Sequence, residues 1–244
     1  MRQFGLIGYP LSHSFSKKYF SQKFKEWKLD DHNYELFSIE DIDMFPALIK
    51  TWPDFVGLNV TIPYKQLVMQ YLDDLDDAAR DIGAVNTIKF VDGKLIGYNS
   101  DVYGFEHSLL PMLSEDVSYK ALVLGSGGAA KGIIWVLKKL GIPYQIVSRK
   151  EKEGYINYDA MTPELINEYK LIVNTTPLGM TPNADSCPSL PYEGLTSVHV
   201  LYDLVYNPEI TRFMQHGLDA RATVKNGLEM LHLQADRSWE IWNQ

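Results

Sequence analysis

Residues 121–140 read ALVLGSGGAAKGIIWVLKKL, and the fold of the whole chain turns on them. Ala121-Leu122-Val123-Leu124 is a short apolar run that stops at Gly125. Beyond it Ala130, Ile133, Ile134, Leu137 and Leu140 recur at helical spacing. The pattern is a buried strand, a glycine turn and an amphipathic helix of about five turns. Gly125, Gly127 and Ala130 fit G-x-G-x-x-G/A, in which one glycine makes the tight turn, one admits a pyrophosphate to the backbone, and a small residue lets helix pack on strand. A glycine turn alone is weak, because glycines also end strands for steric reasons. Here Gly141-Ile142-Pro143 and a second apolar run, Tyr144 to Val147, complete a βαβ unit, and nucleotide binding becomes the better reading.

The 244 residues suffice for one large domain or two small ones. Hydrophobic content of 45% and charged content of 22% are ordinary for a globular protein. A formal charge of -8 without a Lys/Arg cluster argues against a nucleic-acid surface. The N-terminus turns polar too early for a signal-peptide core, and no apolar run is long enough to span a membrane. One cysteine, Cys187, cannot form an internal disulfide, which fits a reducing compartment; a cytoplasmic location is expected. Between Ser186 and Pro188, with no ligand motif nearby, it reads as an inert loop thiol.

Before the glycine turn, a strand at Phe4 to Ile7 leads through a polar loop into a helix reaching Trp27. Ser14 and Ser16 therefore stand at the carboxyl end of a strand, where α/β sheets bind ligands. They can cap the helix or hydrogen-bond a carboxylate, and the pattern leaves both open. A third strand, Phe55 to Val60, delivers Asn59, Thr61 and Lys65 to the same edge, with Pro63 ending the ladder and helical pattern resuming from Gln66 to Leu72. Asp92-Gly93 between Val85–Val91 and Lys94–Tyr98 signals a hairpin. Asn86 and Thr87 open its first arm, and Asn99, Ser100 and Asp101 close the second, Asp101 being also an N-cap candidate.

After Val147 the chain reads Ser148-Arg149-Lys150-Glu151. This is either a solvated charge run or, at the end of the second strand of the βαβ unit, the place where an adenosine ribose would lie. Thr162-Pro163 starts a short helix, and Leu171 to Val173 is a strand delivering Asn174, Thr175 and Thr176 to the ligand edge. Another strand, Val198 to Tyr202, precedes Tyr206, and a helix from Thr211 is expected to end at Gly217. A last strand at Ala220 to Val224 and a helix from Leu228 to Trp242 close the chain.

Seven motifs, in order along nearly the whole chain, resemble the shikimate dehydrogenase family. They are Ser14-Phe15-Ser16, Asn59 to Lys65, Gly83 to Thr87, Gly97 to Asp101, Gly125 to Ala130, Asn174 to Pro177, and Gly227 to Gln234. The resemblance implies a two-domain α/β enzyme with a Rossmann-type dinucleotide-binding domain, an α/β substrate domain and an active site in the cleft between them. Residues 1–101, completed by the C-terminal helix 226–244, would bind substrate, and residues 102–225 would bind NADP. The implied reaction is NADPH-dependent reduction of 3-dehydroshikimate to shikimate in aromatic amino-acid biosynthesis.

Carried over by motif, Lys65 and Asp101 form the catalytic pair. Ser14 and Ser16 hold the substrate carboxylate, and Asn59, Thr61, Asn86, Tyr206 and Gln234 line the rest of the substrate. Gly125, Ser126, Gly127, Gly128, Ala129 and Ala130, then Ser148, Arg149 and Lys150, Asn174, Thr175 and Thr176, and finally Gly227 face the cofactor. No metal is implied, and the one expected partner is the small-molecule substrate. Lys17 stands where the family commonly has Pro, Phe20 where it has Asn, and Glu229 where it has Gly. The segment from Glu151 to Tyr158 is too short for a full helix.

The proton chemistry stands on its own, since a ketone receiving hydride develops negative charge on oxygen and needs a donor there. Retention of both Lys65 and Asp101 speaks against a binding module without catalysis. The paired serines set the chain apart from folate-linked dehydrogenases. An NAD-using quinate/shikimate-type enzyme is the nearest alternative. Against it, Ser148, Arg149 and Lys150 offer cations and a hydroxyl to a 2′-phosphate where an NAD enzyme usually places Asp or Glu.

Overall fold

A computed structural model describes residues 1–11, 14–149 and 152–244. The chain divides into two units, Met1–Asp101 with Gln234–Gln244, and Val102–Leu233. In chain order the first part runs β1 (Arg2–Gly8), α1 (Phe15–Glu26), β2 (His32–Ser38), α2 (Phe45–Thr51), β3 (Phe55–Val60), β4 (Asp74–Leu75), α3 (Asp77–Ile82), β5 (Thr87–Val91) and β6 (Lys94–Tyr98). It continues with α4 (Asp101–Leu109), β7 (Ala121–Leu124), α5 (Gly128–Lys139), β8 (Tyr144–Val147), β9 (Tyr155–Ile156), α6 (Pro163–Glu168) and β10 (Leu171–Asn174). The rest is β11 (Val200–Asp203), α7 (Arg212–Asp219), β12 (Thr223–Lys225) and α8 (Leu228–Asn243).

The first unit is built on a six-stranded sheet in the order β2-β1-β3-β5-β6-β4. The β1 pairings with β2 and β3 are parallel, and the β3–β5 and β5–β6 pairings antiparallel. Alternation sends successive side chains to opposite faces. Phe4, Leu6 and Tyr34 join Phe20 and Phe24 of α1 and Ala235, Ile241 and Trp242 of α8 in one core. Ile7, Leu58, Val60 and Ile88 form the other core, with Phe45 of α2 and Ala79 of α3. Gly57 is a glycine because a Cβ there would come within 2.1 Å of the Trp242 indole, whose Nε1 donates to the Ile88 carbonyl at 3.0 Å. The β5–β6 hairpin turns on Asp92 and Gly93 at φ 51° and 74°, the pair of left-handed residues that a two-residue turn between twisted strands requires.

The second unit carries a parallel six-stranded sheet in the order β12-β11-β10-β7-β8-β9. Counted within the unit this is 6-5-4-1-2-3, the doubly wound order whose direction reverses between its first and fourth strands. Those strands are β7 and β10. Its core takes Leu122 and Leu124 of β7, Ile172 of β10, Leu201 of β11 and Phe213 and Met214 of α7.

Three expected elements come out differently. The helix after the glycine turn has 12 residues, a little over three turns, not five. It stops because Gly141 adopts φ 68° and the next two amides close back, Gly141 N to Lys138 O at 3.1 Å and Ile142 N to Leu137 O at 2.9 Å. Residues Leu67–Tyr71 form a 3-10 turn in place of an α-helix. Gly217 does not end its helix, which runs on to Asp219 with Ala220 as its cap. Its missing side chain serves packing instead, since a Cβ would meet Val224 at 2.7 Å and Leu201 at 2.9 Å. Among the described residues no helix is long and apolar enough to cross a membrane.

Candidate functional site

In the first unit, Lys65 is presented by a tightly bonded turn. Thr61 N donates to Ile7 O at 2.9 Å and Tyr64 N to Thr61 O at 2.9 Å, while the buried Tyr64 phenol donates to Ile39 O at 2.6 Å. The Lys65 carbonyl accepts from Val85 N at 2.7 Å. From this base the Lys65 ammonium donates to Asp101 Oδ2 at 2.7 Å, across 36 residues of sequence. The two side chains keep 32% and 31% of their surface exposed. A half-exposed pair adds little to stability, at most about 1 kcal/mol. What it offers is chemistry: a cationic N–H donor, aimed by a carboxylate, that stays open to a reactant.

Asp101 opens α4 as its first residue. The turn before it is held by Asn86, whose Oδ1 accepts from Ser100 N at 2.7 Å and whose Nδ2 donates to Ser100 Oγ at 3.0 Å. Asn99 adds a bond to Ala84 O at 2.9 Å, and the Asp76 carboxylate accepts from the Asn99 backbone. Burial raises the Asp76 pKa.

Behind the pair lies a buried polar cluster. Asn59 Oδ1 accepts from the Tyr34 hydroxyl at 2.8 Å. Its Nδ2 donates to Ser238 Oγ at 2.9 Å, with Asn86 O and Thr87 Oγ1 at 3.3 Å. The amide of Asn59 is thus largely spent inside the protein, leaving one Oδ1 lone pair for anything else. Ser100 Oγ lies 3.5 Å from Gln234 Oε1. Ser14 caps α1, accepting from Lys17 N at 3.4 Å. Ser16 sits inside that helix and hydrogen-bonds the Tyr34 phenol, whose pKa burial pushes up. Both serines are half-buried. Lys17 pairs with Glu35 at 2.6 Å.

Tyr34 and Ser238 carry much of this cluster and were not among the expected site residues. Their signal in the sequence is faint: Ser238 is a lone hydroxyl among Ala235, Ile241 and Trp242, and Tyr34 alternates with His32 and Leu36 in a strand that carries no motif.

In the second unit the glycine turn stands at the reversal point of the sheet. Gly125 adopts φ 107°, and a Cβ on it would strike Thr175 Oγ1 at 2.8 Å, so the ends of β7 and β10 can approach only without a side chain here. Thr175 closes the contact through N and Oγ1 to Leu124 O, at 3.0 and 2.7 Å. Ala130 is buried against the sheet, while a Cβ on Gly127 or Gly128 would meet nothing within 4 Å. Gly127 caps α5 and has no side chain to bond the first amides of the helix. Such a helix start suits a phosphate.

Asn174 is fully buried and fixes the neighbouring loop. Its Oδ1 accepts from Thr176 N at 3.0 Å and Thr176 Oγ1 at 2.7 Å, and its Nδ2 donates to Asp203 Oδ1 at 2.9 Å. Asp203 also accepts from Val205 N at 3.0 Å and Thr211 Oγ1 at 2.6 Å. Burial nevertheless pushes its carboxyl up to about 6. Ser148 is buried at the end of β8, 3.4 Å from Ser126 Oγ, and Arg149 stands exposed beside it. Arg149 is near enough to pull down the Tyr158 pKa, which burial pushes up to about 12. Lys150 lies outside the described residues.

Gly227, immediately before α8, sits hard against the chain after β11, with a Cβ position 2.2 Å from Leu204 O. Tyr206 on that stretch is 44% exposed. Glu229 pairs with Lys225 at 2.5 Å, and Lys225 also donates to Ser108 O at 2.8 Å.

The strand order, the glycine turn at its reversal and the open Lys–Asp pair define a class, two-unit α/β proteins that combine a dinucleotide-type sheet with a separate polar site. Comparison with known proteins narrows it. Residues 6–88 match the family model for the shikimate dehydrogenase substrate binding domain. Across 100% of its length the chain is 42% identical to the shikimate dehydrogenase (NADP(+)) of Clostridium beijerinckii, covering 93% of that protein. It is 37% identical to the enzyme of the same name from Carboxydothermus hydrogenoformans, covering 98% of this chain and 90% of that one. Among solved structures, the Thermus thermophilus shikimate 5-dehydrogenase in complex with NADP(H) and shikimate superposes with a TM-score of 0.84 at 30% identity, over 99% of this chain and 93% of that one. The chain belongs to the shikimate dehydrogenase family.

Proposed function

We propose that this chain reduces 3-dehydroshikimate to shikimate with NADPH, the first unit holding the substrate and the second the nucleotide. The observation that carries the reading is the Lys65–Asp101 pair, 2.7 Å apart and open to a reactant, at a strand end just ahead of the buried polar cluster. The glycine-capped start of α5, the open space at Gly127 and Gly128 and the exposed Arg149 fit a phosphate-bearing dinucleotide. When bound, the nucleotide supplies the hydride.

Everything else falls to side chains of this protein. As negative charge grows on the substrate oxygen, Lys65 donates a proton to it, and Asp101 keeps the ammonium aimed there. Ser14 donates to the substrate carboxylate, and Ser16 does so by turning its hydroxyl away from Tyr34. Thr61, Asn86, Gln234 and Tyr206 contact the ring, with Asn59 bracing them from behind. Arg149 grips the 2′-phosphate through its planar guanidinium. The single cysteine fits work in the reducing cytoplasm.

Loss of NADPH absorbance with 3-dehydroshikimate, then with 3-dehydroquinate, tests the reading. Turnover of the first well above the second, and with NADPH above NADH, is expected. Preference for 3-dehydroquinate with NADH would replace the reading with a quinate-type enzyme.

A further inference from the structure

Four segments of the first unit meet at one hydroxyl. Ser238 lies on α8, one turn beyond Gln234, and has no exposed surface. Its Oγ donates to Gln234 O at 3.0 Å and accepts from Asn59 Nδ2 at 2.9 Å. It also stands 2.8 Å from Thr87 Oγ1 and 3.1 Å from Ser100 Oγ.

The buried face of α8 otherwise carries Ala235, Ile241 and Trp242. An alanine at 238 would complete it without burying a polar atom, so the hydroxyl needs a reason. Bonding back to the carbonyl four residues earlier satisfies a helical serine by itself. Here three more partners surround it, each from a different stretch: the end of β3, the start of β5, and the turn leading to Asp101. Ser100, next to Asp101, in turn bonds Asn86 and reaches Gln234 Oε1.

We propose that Ser238 is a positioning residue for the reduction. It locks the α8 turn that carries Gln234 to the turn that carries Asp101, so groups supplied by distant parts of the chain keep one spacing. Being fully covered, it acts through Gln234, Asn59 and Ser100 and touches no substrate. The inference rests on the functional reading above.

Its test is Ser238→Ala in the full chain, assayed with 3-dehydroshikimate and NADPH. Removing a hydroxyl that satisfies buried partners predicts a KM for 3-dehydroshikimate raised ~5- to 10-fold, with the KM for NADPH within about twofold of wild type. On a Gln234→Ala background the same change should cost clearly less in kcat/KM, because the two act as a unit. An unchanged substrate KM alongside a lowered melting temperature, or strictly additive losses, overturns the inference and leaves Ser238 a scaffold residue. If the alanine chain does not fold, Ser238→Cys keeps the shape with weaker bonding, and a rise of ~2- to 4-fold in substrate KM is expected, an unchanged one overturning the inference. A wild type inactive on 3-dehydroshikimate overturns the functional reading and this inference together. An active wild type with an unaffected variant overturns this inference alone.

Discussion

Tyr34→Phe removes a single oxygen from the centre of the first unit. The ring, 1% exposed and stacked 4.7 Å from Phe20, keeps its packing in the variant. The Asn59 Oδ1 loses its donor at 2.8 Å. Ser16, half-exposed, turns to water at little cost. Leaving one buried acceptor unpaired costs ~1–3 kcal/mol, and ~2 kcal/mol is the expected loss, since the other contacts of Asn59 persist. With a urea m-value of ~2 kcal/mol/M this lowers the midpoint by about 1 M at unchanged slope. Tryptophan fluorescence follows the transition, because Trp242 packs 6.5 Å from the Tyr34 ring and Trp239 lies in the same aromatic group against Phe4. An unmoved midpoint would refute the claim that the hydroxyl is needed where it is. A loss above ~4 kcal/mol would show that the ring packing had changed as well.

Lys65→Ala should lower kcat by ~10²–10⁴ with a far smaller effect on substrate KM, and near-normal turnover would dismiss it as the proton donor. Arg149→Ala should weaken NADPH binding and leave NADH nearly untouched, so equal losses in kcat/KM for both cofactors would mean that Arg149 does not read the 2′-phosphate. Asp203 binds its proton more tightly in the fold than in the unfolded chain, from the usual 3.8 to about 6. Its charge therefore costs stability above pH 6, and that cost is relieved as pH falls through 6 and gone below 3.8. Urea melts should show wild type gaining up to ~3 kcal/mol on Asp203→Asn between pH 7.5 and pH 4, a gain for the variant instead reversing the assignment.

Motifs made much of this visible in advance. A strand, a glycine turn and a helix in register located the nucleotide-type sheet, because turn chemistry is local and Gly125 has no substitute where Thr175 comes so close. Lys65 and Asp101 were legible as residues at strand ends, and their contact followed from the resemblance. Ser238 and Tyr34 were hidden for a physical reason. A hydroxyl inside an apolar stripe looks like a tolerated exception until the segments facing it are known. Gly217 misled in the opposite sense, since a glycine near a helix end reads as a cap unless the neighbours that forbid a side chain, Val224 and Leu201, are in view. Cys187, expected as a loop thiol, is half-buried against the second core, as is Tyr192, whose phenol donates to Pro188 O at 2.6 Å.

The slot that Gly57 leaves for Trp242 bears on how the chain is made. The first unit needs residues 234–244 to fill its core, whereas the second is drawn wholly from residues 102–233. During synthesis, domains ordinarily mature from the N-terminus onward. Here the first stretch to be made cannot finish first. Its sheet keeps an open indole-sized gap beside β3 until residues 234–244 arrive, so residues 1–101 leave exposed the face that Trp242 eventually covers until the last segment of the chain is free to dock.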